Sequence, residues 1–168
     1  MELSNIPDTF FFGSAGWLVG FYIGAVKGIE ERWGIDYYKN SRFVGISAGG
    51  LIAVACCLGI SSSEMSNMWK KIFEKAKQQN VFFNIDKYQD KLFNSVITDK
   101  DDYKKLNNKV FIVLTKINGK PEIISHWNSN KEVHDTLYNT QYIPFYTKSK
   151  GFFIDGAYSM SFLKLTNN

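Results

Sequence analysis

The junction Arg42-Phe43-Val44-Gly45-Ile46-Ser47-Ala48-Gly49 constrains this chain more than any other segment. A strand-like run ends at Ile46, Ser47 follows, and an apolar helix is expected over 48–58 with Gly59 closing it. Helix follows strand with no spacer, so the serine between them must project from a sharp turn. Gly45 and Gly49, two residues to either side, leave room for strand and helix to come close. The same order occurs once before. Residues 9–12 read as a short aromatic strand, Gly13-Ser14-Ala15-Gly16 as a turn, and 17–33 as a helix ending at Gly34. Gly16, Gly20, Gly24 and Gly28 recur at intervals of four, which predicts a helix face packed tightly on the sheet.

Further along, Ser61 and Glu64 have capping-box spacing. Met65, Met68, Trp69, Ile72, Phe73 and Ala76 then make a stripe at steps of three and four, giving a surface helix with one buried face down to Gln79. One more helix is expected within 82–97 and a charged, exposed loop over 100–108. Lys109-Val110-Phe111-Ile112-Val113-Leu114-Thr115 is almost continuously apolar and β-branched, as suits a central strand covered on both faces. Asn118-Gly119 marks a tight turn into a strand over 122–127, an antiparallel hairpin. A short helical piece at 133–138 and a Pro-containing segment at 142–146 lead to a last strand, 151–154, that ends at Asp155-Gly156-Ala157. Strands alternating with helices, together with apolar central strands, predict a layered α/β fold with a mostly parallel central sheet flanked by helices. No linker or repeat divides the chain, so 1–168 is expected to form a single domain.

Composition narrows the function. With 168 residues, 45% of them hydrophobic and only three prolines, the chain can bury a substantial core, which excludes disorder and a disulfide miniprotein. Its charge, 20 − 16 = +4, is too small and too diffuse for a nucleic-acid partner. Cys56 and Cys57 are adjacent in an apolar run, a placement that disfavours a disulfide and predicts buried thiols in a reducing compartment. Residues 1–8 hold two acidic residues and no Lys or Arg, the reverse of a secretory leader. Residues 9–26 are uncharged but interrupted by glycines and strand-like at first, which argues against a membrane span. A cytoplasmic protein is expected.

Gly45-Ile46-Ser47-Ala48-Gly49 is a G-x-S-x-G pattern in the strand-turn-helix setting that a serine nucleophile needs. The helix opening at Ser47 aims its unpaired N–H groups and positive dipole end at the reacting centre. Two kinds of base are open to such a serine. One is His126 or His134, with an acid among 86–102, in a histidine-dependent esterase. The other is a carboxylate acting alone, and Asp155 at a strand end is best placed, with its aromatic neighbours able to raise its basicity by burial. Acyl transfer also needs N–H donors for the oxyanion, each worth about 2.7–4 kcal/mol, and Gly13-Ser14-Ala15-Gly16 supplies a suitable turn. A dinucleotide fingerprint fails there on spacing. No acidic cluster has the spacing of a calcium loop.

Taken in order, these pieces resemble the patatin-like phospholipase family, the Ser–Asp dyad lipid acyl hydrolases. Phe12-Gly13-Ser14-Ala15-Gly16-Trp17-Leu18 is similar to the family's first strand and oxyanion loop, and Gly45-Ile46-Ser47-Ala48-Gly49 to its nucleophile elbow. Tyr142-Ile143-Pro144-Phe145-Tyr146 is similar to the segment upstream of the second dyad residue, and Asp155-Gly156-Ala157 to the Asp-Gly-Gly/Ala motif. The resemblance implies Ser47 as nucleophile, Asp155 as base and the amides of Ala15 and Gly16 as oxyanion donors, with no histidine, metal or cofactor required. It also implies a phospholipid or acylglycerol substrate and peripheral contact with membranes. The loop departs from the family: its glycine triplet stands here as Ser14-Ala15-Gly16, and the usual Gly or Arg downstream falls on Val19. That departure brings in a catalytically inactive lipid-binding relative as an alternative. Trp69, Phe82, Phe83, Phe152 and Phe153 are expected in the core rather than at a lipid-binding surface, although an exposed subset could line an acyl-chain groove, and His126 and His134 are expected in structural or surface roles.

Overall fold

The computed structural model describes residues 6–79, 84–147 and 151–160. Five strands form one mixed sheet: β1 (Thr9–Phe12), β2 (Arg42–Ile46), β3 (Val110–Lys116), β4 (Pro121–Ile124) and β5 (Phe153–Ile154). β1, β2 and β3 run parallel, with Phe12 opposite Gly45 and Ile46 opposite Val113. β4 and β5 are antiparallel to β3, β4 through the hairpin that Asn118-Gly119 closes. Thr115 pairs with both Pro121 and Ile154. A strand has two edges, so β5 takes the β2 side of β3, just past the point where β2 ends. The residue after β5 therefore lies beside the residue after β2. Those residues are Asp155 and Ser47.

Helices α1 (Gly20–Trp33), α2 (Ala48–Cys57), α3 (Ser62–Lys77), α4 (Ile85–Val96), α5 (Asp102–Leu106), α6 (Asn130–Thr140) and α7 (Ala157–Met160) flank the sheet. α2 is apolar on every side and is buried from Gly49 through Cys57, lying against β1, β2 and β3 with α1 and α6 around it. β3 is buried from Ile112 through Thr115, the signature of a strand covered on both faces. The core runs through Phe43, Val54, Phe93, Ile112 and Trp127. α3 starts with the expected capping box: Ser61 Oγ accepts the Glu64 N–H, and Glu64 Oε2 accepts the Ser61 N–H at 2.9 Å. Among the described residues no helix is long and apolar enough to cross a membrane.

Several local expectations are corrected. The helix expected over 17–33 splits into a 3-10 turn, Gly16–Val19, and α1. The glycine stripe does not pack on the sheet: Gly20, Gly24 and Gly28 are exposed, and a Cβ at Gly24 or Gly28 would meet nothing within 4 Å. Those glycines are spaced along one face, but Ile23 and Val26 carry the burial of α1. The charged stretch 100–108 holds α5, because the buried Asp102 carboxylate accepts the N–H groups of Thr98 and Asp99 and an ion pair from Lys105. β4 stops at Ile124, so His126 and Trp127 lie outside the sheet. β5 is two residues long rather than four, and Phe152 is exposed rather than core. Phe82 and Phe83 lie outside the described residues.

Candidate active site

Ser47 sits between β2 and α2 at φ 54°, ψ −130°, in the left-handed half of backbone space that a residue with a Cβ rarely occupies. The surrounding glycines are needed for this turn. A Cβ on Gly45 would lie 2.5 Å from Gly50 Cα, and one on Gly49 would lie 2.3 Å from the carbonyl oxygens of both Phe12 and Gly13. The second contact presses the first turn of α2 against the end of β1, which brings the Gly13-Ser14-Ala15-Gly16 loop to the serine.

The turn is locked from the other side by Thr140, the last residue of α6. Its Oγ1 accepts the Ser47 N–H at 2.9 Å and donates to the Val113 carbonyl at 2.6 Å, while its own carbonyl accepts the Gly156 N–H at 3.1 Å. One buried threonine thus ties the serine turn, β3 and the Asp155 loop together. Nothing in the sequence singled it out, since a threonine at a helix end carries no motif.

Ser47 Oγ donates to Asp155 Oδ2 at 2.6 Å. Both residues are nearly sealed, Ser47 at 5% and Asp155 at 4% exposure. Asp155 is held through both its carboxylate and its backbone. Oδ1 accepts the Ala157 N–H at 2.8 Å, the Asp155 N–H donates to the Tyr142 carbonyl at 2.7 Å, and the Asp155 carbonyl accepts from Thr115 Oγ1 at 2.9 Å. Gly156 must be glycine, because a Cβ there would stand 2.3 Å from the Val113 carbonyl oxygen. Burial pushes the Asp155 carboxyl above the usual carboxylate range, and the Ser47 and Ala157 donors pull it part of the way back. The result is a stronger base than a solvated aspartate, already hydrogen-bonded to the hydroxyl it would deprotonate.

Ser47 and Asp155 open into a cavity of about 160 Å³, whose walls include Trp17, Leu51, Trp69, Ile85 and Leu92. Its apolar lining suits an acyl chain. Gly16 also lines the cavity, at φ 52°, and Ala48, the first residue of α2, stands beside it. Ala15 lies on the adjoining groove with Ser14, Leu18 and Phe21, so of the two expected oxyanion residues only Gly16 borders the cavity itself. Two polar side chains that sequence reasoning missed are also in its wall. Gln89 on α4 donates through Nε2 to Oε1 of Gln141 at 3.2 Å.

The histidines are elsewhere. His126 borders a separate groove with Trp127 and Asp135, and the His134 ring packs edge-on against Phe93 at 5.9 Å. Burial lowers the His134 pKa. Neither is among the described residues that line the Ser47 cavity. Among the described residues no group of three or more His, Cys, Asp or Glu side chains could hold a metal ion.

No protein-family model matches the chain. It is similar to three human proteins: 25% identical over 143 residues to 1-acylglycerol-3-phosphate O-acyltransferase PNPLA3, 25% over 141 residues to patatin-like phospholipase domain-containing protein 2, and 24% over 149 residues to omega-hydroxyceramide transacylase. These alignments cover 81%, 80% and 84% of this chain but only 29%, 28% and 28% of the relatives. The chain therefore spans under a third of the length of the curated relatives it matches. By name, the relatives move acyl groups or carry a patatin-like phospholipase domain.

Proposed function

We propose that the chain is a lipid acyl hydrolase of the patatin-like kind, a single acylhydrolase domain that cleaves carboxylic esters through an acyl-Ser47 intermediate. The observation that carries this reading is the 2.6 Å hydrogen bond from Ser47 Oγ to Asp155 Oδ2 at a strained strand-to-helix turn. Similarity to acyl-transferring and patatin-like relatives supports it independently.

In the proposed reaction Ser47 Oγ attacks the acyl carbonyl carbon as its proton passes to Asp155 Oδ2. The carbonyl π electrons move onto oxygen, and the resulting oxyanion is met by the Gly16 amide and by the positive end of α2, which opens at Ala48. Collapse expels the alkoxide, which takes the proton from Asp155 and leaves as alcohol. Water then attacks acyl-Ser47, giving its proton to Asp155. The second collapse releases the carboxylic acid as Ser47 recovers that proton. No histidine enters the cycle. If a lipid alcohol attacks in place of water, the same intermediate gives acyl transfer, the reaction named for two of the relatives.

Fatty-acid release from mixed vesicles of phosphatidylcholine and dioleoylglycerol tests this. Ser47→Ala and Asp155→Asn are expected to lose roughly 10²–10⁴-fold in kcat or more, whereas His126→Ala/His134→Ala keeps its rate. Release that survives Ser47→Ala, or that disappears with the histidines, would overturn the reading. An unmutated protein that floats with the vesicles and releases nothing is the inactive lipid-binding alternative.

A further inference from the structure

Among the described residues, four side chains stand between the Ser47 cavity and a second, smaller one of about 40 Å³, lining both. Each comes from a different element: Val19 ends the 3-10 turn, Leu51 lies on α2, Trp69 on α3 and Leu92 on α4. Behind them the second cavity is walled by Ile23, Ile52, Ala55, Met65, Met68 and Val96, all hydrophobic. Val19 and Leu51 are buried, and the Trp69 ring is braced against that of Trp17 at 5.5 Å, so packing holds the partition in place. A water needs two to four polar partners, which these walls do not offer, so this space suits hydrocarbon. Capacity follows from size. An apolar cavity of about 150 Å³ takes benzene, so the Ser47 cavity, at about 160 Å³, has room for about six carbons of an acyl chain. The smaller cavity would add about one more, but the partition bars the way.

We propose that Val19, Leu51, Trp69 and Leu92 are the stop of an acyl-chain ruler, which fits the site to esters of medium-chain acids, of about six carbons. A chain whose carbonyl lies at Ser47 fills the cavity until it meets this partition, and further methylenes find no apolar surface to bury against. This rests on the acyl hydrolase reading for where the carbonyl lies, and adds the class of acyl chain.

The test is a chain-length series of p-nitrophenyl esters, from acetate to dodecanoate, each kept below its aggregation concentration. In the unmutated protein kcat/KM is expected to rise about fourfold per carbon up to about six carbons and to gain nothing beyond. Leu92→Ala removes Cγ and both Cδ atoms from the partition and joins the cavities, so there the rise should continue for about four more carbons. Leu92→Met keeps the volume and should leave the limit where it was. A rise that continues to dodecanoate in the unmutated protein overturns the proposal. So does a limit that fails to move in folded Leu92→Ala, as one set by ester solubility would. The unmutated series decides whether or not Leu92→Ala folds. If no ester is turned over, the hydrolase reading fails, and calorimetric titration with n-alkanols from butanol to decanol decides the ruler by itself. Affinity that levels off at about six carbons supports it, and affinity still climbing at decanol overturns it.

Discussion

Ser47 and Asp155 each adopt a state that is unfavourable on its own, the serine in its backbone and the aspartate in its burial. A non-glycine residue at such a φ stores strain of order 1–3 kcal/mol, and loss of the donor to the buried Asp155 carboxylate costs about as much, so Ser47→Gly is expected to change denaturant stability little while abolishing ester hydrolysis. For Asp155 the sign follows from its raised folded-state pKa. Below the unfolded carboxyl's value of about 3.9 both states hold the proton, and the site carries no penalty. As pH rises through the window up to the raised pKa, the native state keeps the proton longer and stability falls. Asp155→Asn should therefore melt higher than the unmutated protein at pH 7–8, with the difference shrinking as pH drops through that window. Catalysis runs the other way, because only the ionised carboxylate is a base: kcat should fall with decreasing pH along the same titration. Both residues were legible in the sequence, since G-x-S-x-G at a strand end and Asp-Gly after an apolar strand are local patterns. Thr140 was not legible, because it matters only through Ser47, Val113 and Gly156, which the fold brings to it from other elements.

At the scale of elements, glycines with similar sequence settings do opposite things. Gly49 lies where α2 meets the end of β1, and Gly49→Ala would drive a Cβ to 2.3 Å from two carbonyl oxygens. The backbone would have to part, at a cost of about 1–3 kcal/mol or more, with loss of activity as the Gly16 loop withdraws from Ser47. Gly24 stands on the open side of α1, so Gly24→Ala should instead stabilise by about 0.5–1 kcal/mol. Thermal melts of the two variants check both signs. Thr140→Val keeps the shape but leaves the buried Ser47 N–H without its acceptor, an expected loss of about 1–3 kcal/mol. The existence of α3 was legible from its apolar stripe at steps of three and four, and that of β1, β2, β3 and α2 from short apolar runs bounded by glycine or polar residues. Spacing misjudged the glycine stripe of α1 because period alone does not say which face the sheet covers. It read 100–108 as loop because the single buried carboxylate that organises α5 looks like any other surface aspartate.

For the whole molecule, the mixed sheet explains why two residues 108 positions apart in sequence share a hydrogen bond. Parallel β1-β2-β3 puts the loops after β1 and β2 at one end, and β5, turning back beside β3, delivers Asp155 to that end. The antiparallel return of β5 was beyond the sequence reading, since two paired residues carry no period to detect. Packing around α2 also fixes the thiols. Burial raises Cys56 to about 12 and Cys57 to about 11, so the native protein should give no reaction with Ellman's reagent at pH 8 and two thiols per chain once denatured. Activation of Ser47 by Asp155 without a histidine is checked by mapping the adduct of a fluorophosphonate probe by mass spectrometry in the unmutated chain, Ser47→Ala, Asp155→Asn and His126→Ala/His134→Ala. One adduct is expected, on Ser47, absent from Ser47→Ala, strongly slowed in Asp155→Asn and undiminished without the histidines. An adduct on another residue, or labelling of Ser47 that needs a histidine and not Asp155, would contradict it.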